Sequence, residues 1–273
     1  MQNKVKTMIQ KNSNLNIKKQ ISISIVAYRN YNNIIKVIKG INEFSVGLSK
    51  EIIIVDNTEI SHKDDKKIKT IESQVDTKVL SVDENIGFGK ANNLAFKAST
   101  GQYFAIINPD ILFLENSLAK IIDYMNSNPD VGAVIPKLVD KKHKLLPVYR
   151  RNITLWNIIT RYINPFGIFN KRTYFHTMKD KDYDNPFVVP FGQGSFLVIR
   201  ASIFEKIQGF DERYFMYLED ADLCRKINLV SKVMFFPYTT VVHLWQAGSH
   251  KSLRLMLMHF NSMIKYFKKW GID

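Results

Sequence analysis

Residues 21–57 read ISISIVAYRNYNNIIKVIKGINEFSVGLSKEIIIVDN. Residues 21–27 alternate β-branched and small side chains, the pattern of a strand. Ile34, Ile35, Ile38 and Ile41 recur at helical spacing across residues 32–44. Residues 51–55, EIIIV, form an unbroken apolar run, as expected of a strand covered on both faces. Strand, helix and strand in this order make a βαβ unit with parallel strands.

The same alternation continues downstream. Residues 61–71 are charged and helix-compatible, and residues 78–82 read as a third strand. Residues 91–99 are helical, 104–107 a strand, 117–126 a helix and 131–135 a short strand. The expected fold class is therefore α/β, with a doubly wound, mostly parallel central sheet flanked by helices. Polar groups sit at three strand ends: Tyr28 and Arg29, Asp56 and Asn57, Asn108 and Asp110. In open α/β sheets ligands bind at the carboxyl ends of the strands.

Between residues 137 and 190 the pattern weakens into a mixture of lysines, arginines and aromatics. It is compatible with an irregular packed loop, a nucleic-acid surface or an amphipathic element on a membrane. Beyond it, residues 196–199, 233–237 and 239–243 read as strands, and 201–208 and 252–269 as helices. No repeat and no linker interrupts residues 21–273, so one domain is expected. Residues 1–20 form a basic arm.

The 273 residues are 45% hydrophobic, enough for a sizeable core. A single cysteine, Cys224, rules out an intrachain disulfide and a thiolate-rich zinc site, and fits a reducing compartment. The first residues lack the apolar core of a signal peptide, and no run of about 18 apolar residues occurs. The net charge of +14 suits an anionic partner: nucleic acid, a membrane face or a phosphorylated substrate.

Residues 209–225, GFDERYFMYLEDADLCR, place Glu219, Asp220 and Asp222 at a helix start behind an aromatic wall. Acids there satisfy free backbone N–H groups and the helix dipole; one of them can equally serve as a general base aimed into a cleft. Asp110, in Asn108-Pro109-Asp110, is placed to hold a hard cation that bridges to phosphates, or simply to make a turn. Asp56 can hydrogen-bond a base or ribose, or cap the next helix. His243 can complete a metal shell or be structural. No phosphate-binding lysine loop, no GxGxxG after the first strand, no HExxH and no GxSxG elbow is present.

The set SIVAYRNY (24–31), IIIVDN (52–57), NIGFGKANN (85–93), NPD (108–110), GFDERYFMYLEDADLCRK (209–226) and HLWQAGS (243–249) resembles glycosyltransferase family 2, and within it rhamnosyltransferase-like enzymes. The resemblance runs from residue 21 to the C-terminus and is poor over 137–186. It implies a GT-A fold, with a nucleotide-binding half at 21–136 and an acceptor-binding half at 137–273, and inverting transfer of a sugar, rhamnose, from a dTDP- or UDP-linked donor to a saccharide acceptor carried on a lipid. It implies that Ala27, Tyr28, Arg29, Asp56, Asn85, Gly87, Phe88, Asn92 or Asn93, Asn108 and Asp110 bind the nucleotide sugar. By the same resemblance Asp110 and His243 hold Mg²⁺ or Mn²⁺, Asp220 is the base with Glu219 beside it, and Gly194, Ser195 and Trp245 face the acceptor. Asn108 departs from the family pattern by replacing the first acid of its metal motif, Gln208 stands before Gly209 where relatives often carry glycine, and Ser231 replaces a common glycine. The expected location is the cytoplasm, at the inner face of an anionic membrane, with no nucleic-acid partner.

Two rivals follow from the same residues. A non-enzymatic basic module would bind nucleic acid or membrane through residues 137–172 and use the acids structurally. A glycosyltransferase-like protein without activity would be consistent with Asn108.

Overall fold

A computed structural model describes residues 18–162, 167–244 and 253–272. The chain runs through β1 (Lys19–Ala27), α1 (Tyr31–Phe44), β2 (Lys50–Asp56), α2 (Asp65–Glu72), β3 (Thr77–Ser81), α3 (Phe88–Lys97) and β4 (Gly101–Ile107). It continues with β5 (Ile111–Phe113), α4 (Ser117–Ser127), β6 (Val131–Val139), β7 (Tyr149–Arg150), α5 (Leu155–Tyr162) and α6 (Asn170–His176). The last elements are β8 (Phe187–Val188), β9 (Phe191–Gly192), β10 (Phe196–Arg200), α7 (Ala201–Lys206), α8 (Glu219–Asn228), β11 (Lys232–His243) and α9 (Leu253–Trp270).

The main sheet has the order β3-β2-β1-β4-β10-β6-β11-β5, with β8 added on β11. The first four strands are parallel, as the βαβ pattern requires. β1 pairs with β2 from Ile21↔Lys50 to Ala27↔Asp56, so Ala27 and Asp56 end side by side. β10 then enters antiparallel between β4 and β6, and β11 lies parallel to β6. The sheet is thus parallel in its first half and mixed in its second. Ile21, Ile23, Ile25, Ile52, Ile53, Ile54 and Val55 are buried, because helices cover both faces there. Each such side chain contributes about 1.5–3 kcal/mol by leaving water.

Several elements differ from the sequence expectation. The strand at 131–135 extends to Val139, through Pro136. Proline is tolerated there because β10 pairs with β6 only at Ala133 and Val134. Residues 233–237 and 239–243 are one strand whose register slips between Phe236 and Thr240, so Pro237 marks an irregularity and not an end. The weak region contains two short helices, α5 and α6, and the two-stranded pair β7–β9. Residues 1–17 of the basic arm, and Trp245, lie outside the described residues.

The stretch 209–217 is clamped from two sides. Asn93 on α3 accepts from the Phe210 amide at 2.8 Å and donates to the Phe210 carbonyl at 3.0 Å. On the other side α9 donates from Ser262 to the Met216 carbonyl (2.7 Å) and from Lys265 to the Arg213 carbonyl (2.6 Å). α9 is fastened to α8 by Asp222, which is fully buried and accepts from Trp270 Nε1 at 2.7 Å and Lys269 Nζ at 2.9 Å.

Asp222 is therefore a structural carboxylate. Asp222→Ala leaves Trp270 Nε1 without its acceptor and Lys269 with Asp211 as its remaining carboxylate, and urea unfolding should show a loss of about 2 kcal/mol. A loss below about 1 kcal/mol would mean that α9 is held by its apolar contacts alone.

Candidate active site

The three polar strand ends lie on the neighbouring strands β2, β1 and β4. At the end of β2, Asp56 is buried; the Tyr31 hydroxyl donates to its two oxygens (3.1 and 3.2 Å) and the Thr58 amide donates to Oδ1 (3.3 Å). A carboxylate accepts about four hydrogen bonds, so Asp56 keeps capacity for one more donor. Beside it, Tyr28 is half-exposed, its hydroxyl donating to Glu59, while Arg29 pairs with Glu59 at 3.0 Å and lies over the Tyr28 ring. Arg29 has a left-handed backbone (φ 58°), which turns the chain sharply after β1.

The loop 82–87 is set by side-chain amides. Asn57 donates to Asn85 Oδ1 (2.9 Å) and accepts from the Ile86 amide (2.8 Å); Asn85 Oδ1 also accepts from the Gly87 amide (3.0 Å). Gly87 has φ 84°, and a Cβ there would lie 2.5 Å from the Phe215 carbonyl oxygen. Only glycine lets this loop meet the 209–217 stretch so closely. The next residue, Phe88, donates its amide to that same carbonyl (3.3 Å).

Two residues expected at the nucleotide are placed elsewhere. Asn92 is fully buried, accepting from the Ser24 hydroxyl (2.7 Å) and donating to the Phe88 carbonyl (2.9 Å). Ala27 is likewise sealed, its carbonyl bonded to the Asn57 amide at 2.9 Å. Both brace the wall from behind, because α3 must be tied to β1 before its N-terminus can face a ligand. Asn93, the other asparagine considered, is the clamp on Phe210.

The third strand end holds Asn108, Pro109 and Asp110. Asp110 Oδ1 lies 3.2 Å from His243 Nε2, at the end of β11. β5 makes this approach possible: it pairs with β11 at Ile111↔His243, so the residue after Asp110 is in register with the histidine. Among the described residues no group of three or more His, Cys, Asp or Glu side chains is assembled for a metal. The Asp110–His243 pair nevertheless fits a divalent ion shared with a substrate. Asp110 Oδ1 and His243 Nδ1 are buried without a hydrogen-bond partner among the described residues.

On the opposite side stands α8. Tyr217 and Leu218 both adopt left-handed backbone (φ 69° and 66°), a strained turn that delivers Glu219 and Asp220 at the helix start. Asp220 accepts from the Gly194 amide (3.2 Å) and from the Ala221 amide (2.8 Å). Burial pushes its carboxyl above the usual aspartate range, while the Gly194 and Ala221 amides and the positive charge of Arg150 pull it back. Glu219 is more enclosed; burial first, and then the Asp220 charge, push its carboxyl up, and its Oε2 has no partner. The two adjacent acids titrate as a coupled pair, and burial pushes both above the ordinary carboxylate range.

Residues 193–195 join the two sides. The Gly194 amide meets Asp220, and the Ser195 carbonyl accepts from the Asn108 amide at 2.8 Å. A Cβ on Gly194 would sit 3.3 Å from Asp220 Cβ and 3.7 Å from the Phe88 ring. Three segments distant in sequence thus converge on one residue. Six buried side-chain polar atoms lack partners among the described residues, and four belong to expected site residues: Asp110, Ser195, Glu219 and His243. Buried polar atoms are rarely left unpaired, so these four make this the candidate site. Arg150 was not marked as a site residue by the sequence. It lies in a two-residue strand, β7, paired with β9 next to residues 193–195, and no local pattern announces that pairing.

The family model for glycosyl transferase family 2 matches residues 22–208. Rhamnosyltransferase WbbL of Escherichia coli K12 is 27% identical over 165 residues, covering 58% of this chain and 60% of its own length. The N-acetylglucosaminyl-diphospho-decaprenol L-rhamnosyltransferase of Mycobacterium tuberculosis is 27% identical over 188 residues, covering 63% and 60%. The aligned region thus spans about 60% of the length of these curated relatives. Among solved structures, GalNAc-T7 with UDP, GalNAc and Mn²⁺ superimposes with a TM-score of 0.67 at 16% identity, over 95% of this chain and 49% of that one. The mannosyltransferase PcManGT of Pyrobaculum calidifontis, in complex with GDP-Man and Mn²⁺, gives 0.60 at 16% identity, over 96% and 70%. The fold is GT-A.

Because Arg150 favours the charged form of Asp220, Arg150→Met should raise the pH at which Asp220 titrates, read from its carboxyl carbon by NMR. An unmoved midpoint would remove Arg150 from the site.

Proposed function

The chain belongs to glycosyl transferase family 2, and from that premise we propose that it is an inverting glycosyltransferase. It moves a sugar, rhamnose, from a dTDP- or UDP-linked donor to a saccharide acceptor borne on a lipid. The rhamnosyltransferases among its relatives support the sugar, and the decaprenol-linked one supports the acceptor class. The observation that carries the reading is the convergence of unpartnered polar atoms on both sides of residues 193–195.

In this mechanism the nucleotide lies against the ends of β1 and β2. Asp56 uses its remaining acceptor capacity on the base, and Tyr28 and Arg29 border the pocket. Asp110 and His243 would hold Mg²⁺ or Mn²⁺ beside the donor diphosphate, and the ion would there supply Lewis-acid stabilisation to the leaving group. Asn108 contributes its amide to the Ser195 carbonyl, so the single carboxylate of the motif is held in place by the backbone.

Asp220 takes the proton of the acceptor hydroxyl as that oxygen attacks the anomeric carbon. Its raised basicity makes it a better proton acceptor than an exposed aspartate, and the Gly194 and Ala221 amides keep it ionised and aimed. Glu219 lies buried beside it, and burial together with the Asp220 charge disfavours a second negative charge there. Attack opposite the leaving group inverts the anomeric centre. Gly194 and Ser195 line the acceptor side; Trp245, expected there too, is outside the described residues.

A thermal-shift panel of UDP-, dTDP- and GDP-sugars with Mn²⁺ should show stabilisation by a dTDP- or UDP-sugar; silence across the panel would contradict the reading. Asp220→Asn should lower transfer at least about a hundredfold while leaving the donor-induced shift in place. Normal turnover by that variant would remove the base assignment. Transfer by the wild type should fall on the acid side at a pH above the ordinary aspartate range, because the base must be ionised and burial raises its pKa. Asp110→Ala should abolish the Mn²⁺ dependence of donor binding, and equal affinity with and without the ion in both proteins would exclude the metal.

A further inference from the structure

The charge of this chain is distributed unevenly. Residues 141–179 hold nine lysines and arginines and no aspartate or glutamate; residues 223–272 hold eight and none. All 25 acids lie elsewhere in the chain. These two acid-free stretches supply α5, α6 and α9, which the fold brings together: the Leu155 amide at the start of α5 donates to the Ile272 carbonyl just past α9, at 2.9 Å. Ile158 of α5 packs with Met263, Phe267 and Trp270 of α9 in a small satellite core.

α9 has two faces. The inner one carries Ser262, Lys265, Tyr266 and Lys269, which hold the 209–217 stretch and α8. The outer one carries Leu257, Phe260 and Ile264, spaced three and four residues apart, with Met256 beside them. These four are 41–60% exposed. Arg254 and Lys268, also exposed, stand at the two ends of the stripe. On α5 and α6, Trp156, Tyr174 and Phe175 are about as exposed, beside Lys171 and Arg172. Scattered exposed apolar residues are ordinary, but a contiguous stripe bordered by cations and free of acids is not.

We infer that this face docks on an anionic lipid bilayer, with the stripe Leu257–Phe260–Ile264 at the acyl boundary and Arg254, Lys268, Lys171 and Arg172 among the headgroups. An amphipathic helix of this composition lies in the interface plane. No helix among the described residues is long and apolar enough to cross a membrane. The absence of acids favours a broad negative surface over a protein partner, whose recognition normally uses charges of both signs. The inference deepens the sugar-transfer reading: the inner face of α9 supports the turn that carries Asp220, so the bilayer lies on the acceptor side, where a lipid-linked saccharide is presented.

The test is co-sedimentation of the full chain with phosphatidylcholine vesicles, and with vesicles that also contain phosphatidylglycerol. The wild type should partition to the anionic vesicles at least about tenfold more strongly, since each cation near such a surface contributes about 1 kcal/mol. The double variant L257S/F260S should lose at least about tenfold of that binding, and R254E/K268E should weaken it as well. Both should keep the wild-type melting temperature and donor-induced shift. Equal partition of the wild type and both variants would overturn the inference. So would binding to RNA but not to vesicles, or a dimer abolished by L257S/F260S without vesicle binding, which would make the stripe an interface between copies. The vesicles carry no sugar, so the two readings fail separately: docking without any donor shift contradicts sugar transfer alone, and a donor shift without docking contradicts this inference alone.

Discussion

A single amide, that of Gly194, sets the distance between the two halves of the site. It donates to Asp220 on α8, while the carbonyl of the following residue, Ser195, accepts from Asn108 at the end of β4. Hydrogen bonds are directional, so this amide-to-carboxylate bond at 3.2 Å and the backbone bond at 2.8 Å couple the acid at the helix start to the turn after the strand. β10 makes this possible. By inserting antiparallel between β4 and β6, it brings residues 193–195 to the carboxyl edge of the parallel half, where the polar strand ends already lie.

Around that link the structure spends side-chain amides and ion pairs on positioning. Asn57 and Asn85 fix the loop before α3; Asn92 ties α3 to β1; Asn93 clamps Phe210. Asp222, Lys269 and Trp270 fasten α9 against α8. Asp211 belongs to the same network: the guanidinium of Arg213, reinforced by Lys269, holds its carboxyl well below the usual aspartate range. Asp110 Oδ1, His243 Nδ1, Glu219 Oε2 and Ser195 Oγ are buried without a hydrogen bond among the described residues. Fixed neighbours and uncommitted polar atoms together describe a preorganised site, in which little reorganisation is needed at the moment of reaction.

The parallel half was legible because each strand is a short β-branched run between helical patterns, and its polar ends fall at fixed places in the chain. Asp110, His243 and Asp220 could be named from the motifs that carry them, and the structure brings Asp110 to His243 and links the Asn108–Asp110 turn to Asp220 through residues 193–195. What stayed hidden depends on pairing across long sequence separations. β5 and β7 are three and two residues long, too short for any period, yet one brings Asp110 to His243 and the other places Arg150 near Asp220. Asn92 and Asn93 are adjacent in sequence and look alike, but the helix turns one to β1 and the other to the 209–217 stretch. No local pattern distinguishes a polar side chain that binds a ligand from one that braces the wall behind it.

The central claim is that the Gly194 link holds the base to the donor side of one site. Gly194→Val tests it most directly, because the added side chain grows from a position 3.3 Å from Asp220 Cβ and touches neither Asp110 nor His243. Donor affinity and single-turnover transfer should be measured on the same protein. The account predicts that transfer falls about a hundredfold while donor affinity stays within about twofold, since a misplaced base costs rate and not donor binding. Transfer at the wild-type rate would contradict it.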